Sequence, residues 1–119
     1  MTYQHNNKEP IVLANDPIDP DATDWVFFIY EDWLRIGETI SSHEGVIEGG
    51  TIVIDSQSIG SMDDEAGVTH TDVYGIKVSP TSGVTEMTVT HRITTTTGGS
   101  PDLGRANIDH SAILCVNET

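Results

Sequence analysis

Residues 84–99 read VTEMTVTHRITTTTGG, nearly half threonine with one histidine and one arginine set among them. In an extended chain alternate side chains point to opposite sides, so Met87, Val89, His91 and Ile93 share one face and Glu86, Thr88, Thr90, Arg92 and Thr94 the other. The first set is apolar apart from His91 and predicts a buried face. The threonines suit the wet face of a sheet, because a branched Cβ favours extended backbone and the hydroxyl meets water or a cross-strand partner. The closing stretch repeats the pattern: Ile108, His110, Ala112, Leu114 and Val116 alternate with Asp109, Ser111, Ile113 and Cys115. As neighbouring strands of a hairpin, joined by the long turn TTTGGSPDLGR, the two stretches would let His91 and His110 approach each other near one end of the sheet.

Working outward, further strand-like runs alternate with breakers. WVFFIY (Trp25–Tyr30) is aromatic and β-branched and predicts the first core strand. EDWLRIG predicts a tight turn or one helical turn that tucks Trp33 beneath the sheet. Strands are then expected over Ile40–Ile47, ending at Gly49-Gly50; over Thr51–Asp55; over Asp72–Val78, with Tyr74, Ile76 and Val78 on one side; over Val84–Thr95; and over Asn107–Val116. No segment sustains apolar spacing of three and four residues, so no long helix is expected. About six strands separated by Gly and Pro predict an all-β fold, an antiparallel β-sandwich.

Residues 1–24 differ from the rest. Pro10, Pro17 and Pro20 interrupt an acidic run, which predicts an extended N-terminal arm ahead of a sandwich over residues 25–119. Its apolar patch, Ile11, Val12 and Leu13, is a candidate contact with the parent domain or with a neighbouring subunit. Arg92, on the outward side of its strand, is the other candidate partner contact.

The 119 residues suit one domain, with 19 acidic side chains against five Lys and Arg and a net charge of −14. A nucleic-acid groove needs clustered cations, so nucleic acid is not an expected partner. The start lacks the features of a secretion signal and the longest apolar run has six residues, so no membrane span is expected. Cys115 is the one cysteine, which excludes an internal disulfide. The acidic runs NDPIDPDATD and MDDEAG offer oxygens to calcium but lack the EF-hand glycine and distal glutamate, and read as solvated loops. His91 and His110 are open to two readings, a metal- or pH-responsive pair, or half-buried imidazoles hydrogen-bonded to backbone or threonine. No serine elbow, metalloprotease helix or phosphate loop occurs, SHEG at 42–45 stands alone, and no catalytic residue, cofactor or metal ligand is assigned. Most of the aromatics fall on expected core positions, which leaves little for an exposed stacking platform.

Taken in order, DPIDPDATDW, EDWLRIGETISS, GGTIVIDS, TVTHRITTTTGG and GRANIDHSAILCV resemble the fiber-tail adaptor proteins of tailed bacteriophages, over about residues 16–116. The most telling parts are Asp32-Trp33-Leu34 with Gly37-Glu38-Thr39-Ile40-Ser41, and Arg92-Ile93-Thr94-Thr95 followed by Gly98-Gly99. His91, His110 and the first fifteen residues lie outside the resemblance. It implies an immunoglobulin-like domain with a noncatalytic role in the virion, made in the host cytoplasm and placed at the neck or tail. There, copies in an oligomeric ring would link portal, neck or tail proteins to fibers. A capsid-decorating or cell-surface glycan-binding module of the same fold is the competing expectation.

Overall fold

The computed structural model describes residues 10–98 and 103–117. Residues 1–9 of the expected arm, and Gly99 to Asp102 of the expected long turn, lie outside the described residues. Seven strands form: β1 (Ile11–Leu13), β2 (Asp24–Ile29), β3 (Glu38–Glu48), β4 (Gly50–Asp63), β5 (Thr69–Pro80), β6 (Glu86–Thr97) and β7 (Ile108–Cys115). They pair antiparallel into a four-stranded sheet ordered β1-β2-β5-β4 and a three-stranded sheet ordered β3-β6-β7. In chain order this is the ABED and CFG arrangement of the constant-type immunoglobulin sandwich.

The threonine-rich strand is β6, central in its sheet, and its alternation is as the sequence predicts. Met87, Val89, His91 and Ile93 are buried, and the intervening residues face outward. The opposite sheet contributes Val26, Phe28, Ile76 and Val78, and β7 adds Ala112 and Leu114. Such burial contributes roughly 1.5–3 kcal/mol for each large aliphatic or aromatic side chain. β6 and β7 pair with His91 directly opposite His110. Trp33 lies in the turn after β2 with its indole 7% exposed, packed edge-on against Tyr30.

Two readings are refined. Of the two contacts open to the apolar patch, the structure shows the one with the parent domain: Ile11, Val12 and Leu13 pair with Ile29, Phe28 and Phe27 as an edge strand. A three-residue edge strand is compatible with the prolines that exclude a central one. Farther on, Ile18 is 1% exposed in the core, and it bridges Val116 in parallel through Ile18 N–H to Cys115 C=O at 2.8 Å and Asn117 N–H to Ile18 C=O at 2.9 Å. Residues 11–24 thus belong to the sandwich, and the boundary at Trp25 does not divide it. Secondly, β4 extends past Asp55 to Asp63, because its polar second half pairs with β5 in a ribbon broken by register shifts between Ile52 and Ser61. Bulges of this kind leave no clean alternation for periodicity to detect.

Between β3 and β4 the chain passes from one sheet to the other through a single residue, Gly49. Its φ is +80°, and a Cβ there would lie 2.7 Å from the Glu86 carbonyl oxygen; one on Gly50 would lie 2.6 Å from Met87 Sδ. Gly60 has φ +87° but open space around the missing Cβ. Alanine at Gly60 is therefore expected to cost only the left-handed strain, about 1–2 kcal/mol. Alanine at Gly49 adds a backbone clash and is expected to cost at least twice as much, read as the shift in urea midpoint at constant slope. Equal shifts for the two variants would refute the tight crossing.

Candidate functional site

The sandwich interior contains a chain of polar side chains drawn from both sheets. Tyr30, just past β2, places its hydroxyl 2.6 Å from His91 Nδ1. His91 Nε2 is 2.6 Å from Ser56 Oγ, on β4, and that hydroxyl is 2.7 Å from His43 Nδ1, on β3. The His91 imidazole stacks on Phe28 with ring centroids 5.2 Å apart. Buried polar atoms must find partners, and here each nitrogen of a completely buried ring has one.

Burial sets the protonation. It pushes His91 down to about 3, with the nearby His43 and His110 acting in the same direction against the weaker pull of Asp55. Burial also raises the Tyr30 phenol above its ordinary range, so it keeps its proton. A neutral imidazole has one N–H and one lone pair. The assignment that satisfies all three bonds has Tyr30 donating to His91 Nδ1, His91 Nε2–H donating to Ser56, and Ser56 donating to His43 Nδ1. His110, half-buried, packs edge-on against Trp33 at 4.9 Å and Tyr30 at 5.5 Å. The topology thus brings the two histidines of the sequence pattern onto one inner face. His91, however, bonds to a tyrosine and a serine rather than to the backbone or threonine expected.

Ser56 beside His91 has the separation of a nucleophile and its general base, but the electrostatics differ. A base held near 3 retains almost no capacity for a proton at neutral pH, whereas efficient general bases lie near the working pH. The far side of the imidazole meets a phenol, not the carboxylate that stabilises an imidazolium in a serine triad. Among the described residues no group of three or more His, Cys, Asp or Glu is arranged to hold a metal ion. The geometry fits a cross-sheet fastening.

Two ionic clusters flank this chain. At the β3 end Glu38, with its side chain fully buried, accepts from Arg105 through two bonds, Nε to Oε2 at 2.8 Å and Nη2 to Oε1, and from Thr95 Oγ1 at 2.5 Å and Arg35 N–H at 2.9 Å. Burial alone would raise the Glu38 carboxyl, but these donors outweigh it and hold it below its usual range. The Arg105 guanidinium also lies 3.6 Å from the centre of the Trp33 ring. Thr95 and Thr97 therefore face inward and bind the β6–β7 loop, a role that the sequence reading did not give them. At the start of β5 His70 sits between Glu31 (Nδ1 to Oε1, 2.5 Å) and Asp64 (Nε2 to Oδ2, 2.9 Å). Hydrogen bonds to Glu31 and then Asp64 raise His70, and both carboxylates are lowered chiefly by the same histidine.

Ile11, Val12 and Leu13 lie on β1, with Ile11 39% exposed at the sheet edge. Arg92 does face outward, but it holds Asp109 by a two-pronged pair at 2.8 and 3.1 Å and has Glu44 at 3.5 Å. In the acidic loops, Asp16 accepts Cys115 N–H at 3.0 Å and Asp64 accepts Ala66 and Val68 N–H, both at 2.9 Å.

The depressed His91 makes stability depend on pH. The unfolded chain takes up a proton near 6.5 and the folded one not until about 3, so stability is full above 6.5 and falls as pH drops through that window. The slope is about 1.4 kcal/mol per pH unit, or roughly 2 kcal/mol between pH 6.5 and 5. His70 acts oppositely, its contribution being complete below 6.5 and lost as pH rises. The lowered carboxylates matter only nearer their ordinary values of about 4. His91→Gln is expected to be about 2–3 kcal/mol less stable at pH 7 yet to lose less between pH 7 and 5. Urea titrations across that range check this, and parallel slopes for the two proteins would refute it. Arg105→Met, which leaves the Glu38 carboxylate buried without its cation, is expected to cost about 3 kcal/mol. Adding Glu38→Gln should recover part of that loss in a double-mutant cycle.

A scan against models of known protein families finds no match to this chain, and a search of curated proteins finds no significant relative.

Proposed function

We propose that the chain is a noncatalytic immunoglobulin-like adaptor of a tailed-bacteriophage virion, acting at the neck or tail and assembling there with copies of itself and with portal, neck, tail or fiber proteins. The observation that carries the reading is the coincidence of the resembling segments with the joints of the constant-type sandwich. Trp33 and Glu38 form the turn into β3, Gly49-Gly50 the crossing between sheets, Arg92 to Thr95 the centre of β6, and Arg105 the clamp on Glu38.

Surface and interior support the same role. Among the described residues, Tyr30, His91, Ser56 and His43 bond to one another across the interior, as a structural fastening would. The outer strands β3, β4 and β7 are long edges, and edges offer backbone donors and acceptors to neighbouring subunits. The net charge of −14 favours basic partners and repels DNA passing through a tail channel. Quantitative mass spectrometry of density-purified particles is expected to find the chain at a fixed ratio to portal and tail subunits, retained through a salt wash. Particles that lack the chain would overturn the proposal.

A further inference from the structure

The four-stranded sheet has an outer face with an apolar surface of its own. Along β2, Trp25 and Phe27 point away from the core that Val26 and Phe28 enter, and their rings stack at 5.9 Å over Gly75 of β5. A Cβ at residue 75 would come within 3.0 Å of the Trp25 ring and 3.2 Å of Phe27, so the glycine lets both rings lie down. Ile29 and Val73, paired across β2 and β5, are buried on this same side. The tip of the β4–β5 ribbon stands opposite, and between them is a groove of about 620 Å³. That volume lies within the range of ligand-binding sites.

The walls are chemically divided. Leu13, Trp25, Phe27 and Met62 supply apolar surface. Asp24, Asp63, Asp64 and Glu65 supply carboxylates, and among the described residues no Lys or Arg lines the groove. His70 offsets Asp64 alone, which leaves a net negative rim. The indole already attracts a cation: Lys77 Nζ lies 6.0 Å from its centre. The tip is held in place by the Glu31–His70–Asp64 clasp, so the groove exists before any partner arrives.

We propose that this groove docks an extended protein segment in which apolar side chains alternate with Lys or Arg. Alternation puts the apolar side chains on the Trp25–Phe27 surface and the cations against the carboxylate rim, at the two-residue period of an extended strand. The proposal rests on the adaptor reading only in taking the partner to be a protein.

The test uses the intact chain labelled with ¹⁵N, and a capped (Leu-Lys)₄ peptide as probe, with (Ser-Lys)₄ and (Leu-Glu)₄ as controls. Saturable shifts of the Trp25 indole and of Leu13, Met62 and Glu65 amides are expected with (Leu-Lys)₄, and the buried Trp33 indole should stay still. Glu65→Lys, at an exposed tip position, and Met62→Ser should each weaken binding about tenfold while leaving the remaining spectrum intact. Equal affinity for (Ser-Lys)₄, shifts scattered over the surface, or unchanged affinity in both variants would overturn the proposal. So would self-association of the free chain abolished by Glu65→Lys, which would give the groove to a second copy. Particle composition is a separate measurement: peptide binding by a chain missing from virions would refute the adaptor role and leave the groove standing.

Discussion

The sandwich depends on keeping one imidazole neutral at its centre. His91 has the volume of a core residue and the polarity of a surface one, and the fold tolerates it because Tyr30 and Ser56 satisfy its two nitrogens from opposite directions. Antibody domains join strands B and F by a disulfide at the middle of the sandwich. The corresponding strands here, β2 and β6, are joined by the stacking of Phe28 on His91 and the Tyr30 hydrogen bond. A covalent link depends on redox conditions, whereas this one depends on proton concentration. It also ties four strands rather than two, since Ser56 and His43 extend it to β4 and β3.

The same economy applies to charge. With 19 acidic side chains and five Lys and Arg, each cation is scarce, and the structure commits Arg105 to Glu38 and Arg92 to Asp109. The former is buried and fixes the β6–β7 loop against Trp33; the latter lies on an exposed face where ion pairs contribute little. Most carboxylates remain at the surface, where self-repulsion opposes compaction but keeps molecules apart in solution.

What was legible in the sequence was whatever a single strand encodes in its own period. Met87, Val89, His91 and Ile93 alternate without interruption, so β6, its inner face and its pairing with β7 could be read directly. The partners of His91 were less accessible. Ser56 lies in DSQSIGSM, a polar run whose inward position is set by β4 crossing beneath β3, a tertiary fact with no local signature. Glu38 is an acid in a turn until Arg105, 67 residues on, is brought beside it. β1 was obscured by its prolines, which rule out a central strand but leave three residues free to pair at an edge. The outer groove escaped for a related reason: Trp25–Tyr30 was read as a core strand without an inner face, and only the second sheet decides which side of β2 the core is on.

The strap at Ile18 gives the molecule a mechanical character. Ile18 and Val116 run parallel, and their two hydrogen bonds, with Asp16 accepting Cys115 N–H beside them, lie across the line joining the early and late parts of the chain. Tension applied along that line slides the two segments past one another, so the bonds are loaded together in shear instead of being peeled one at a time. Resistance to such a pull is governed by the rate of unfolding rather than by equilibrium stability. A domain of modest stability can in this way resist a pull on its two ends.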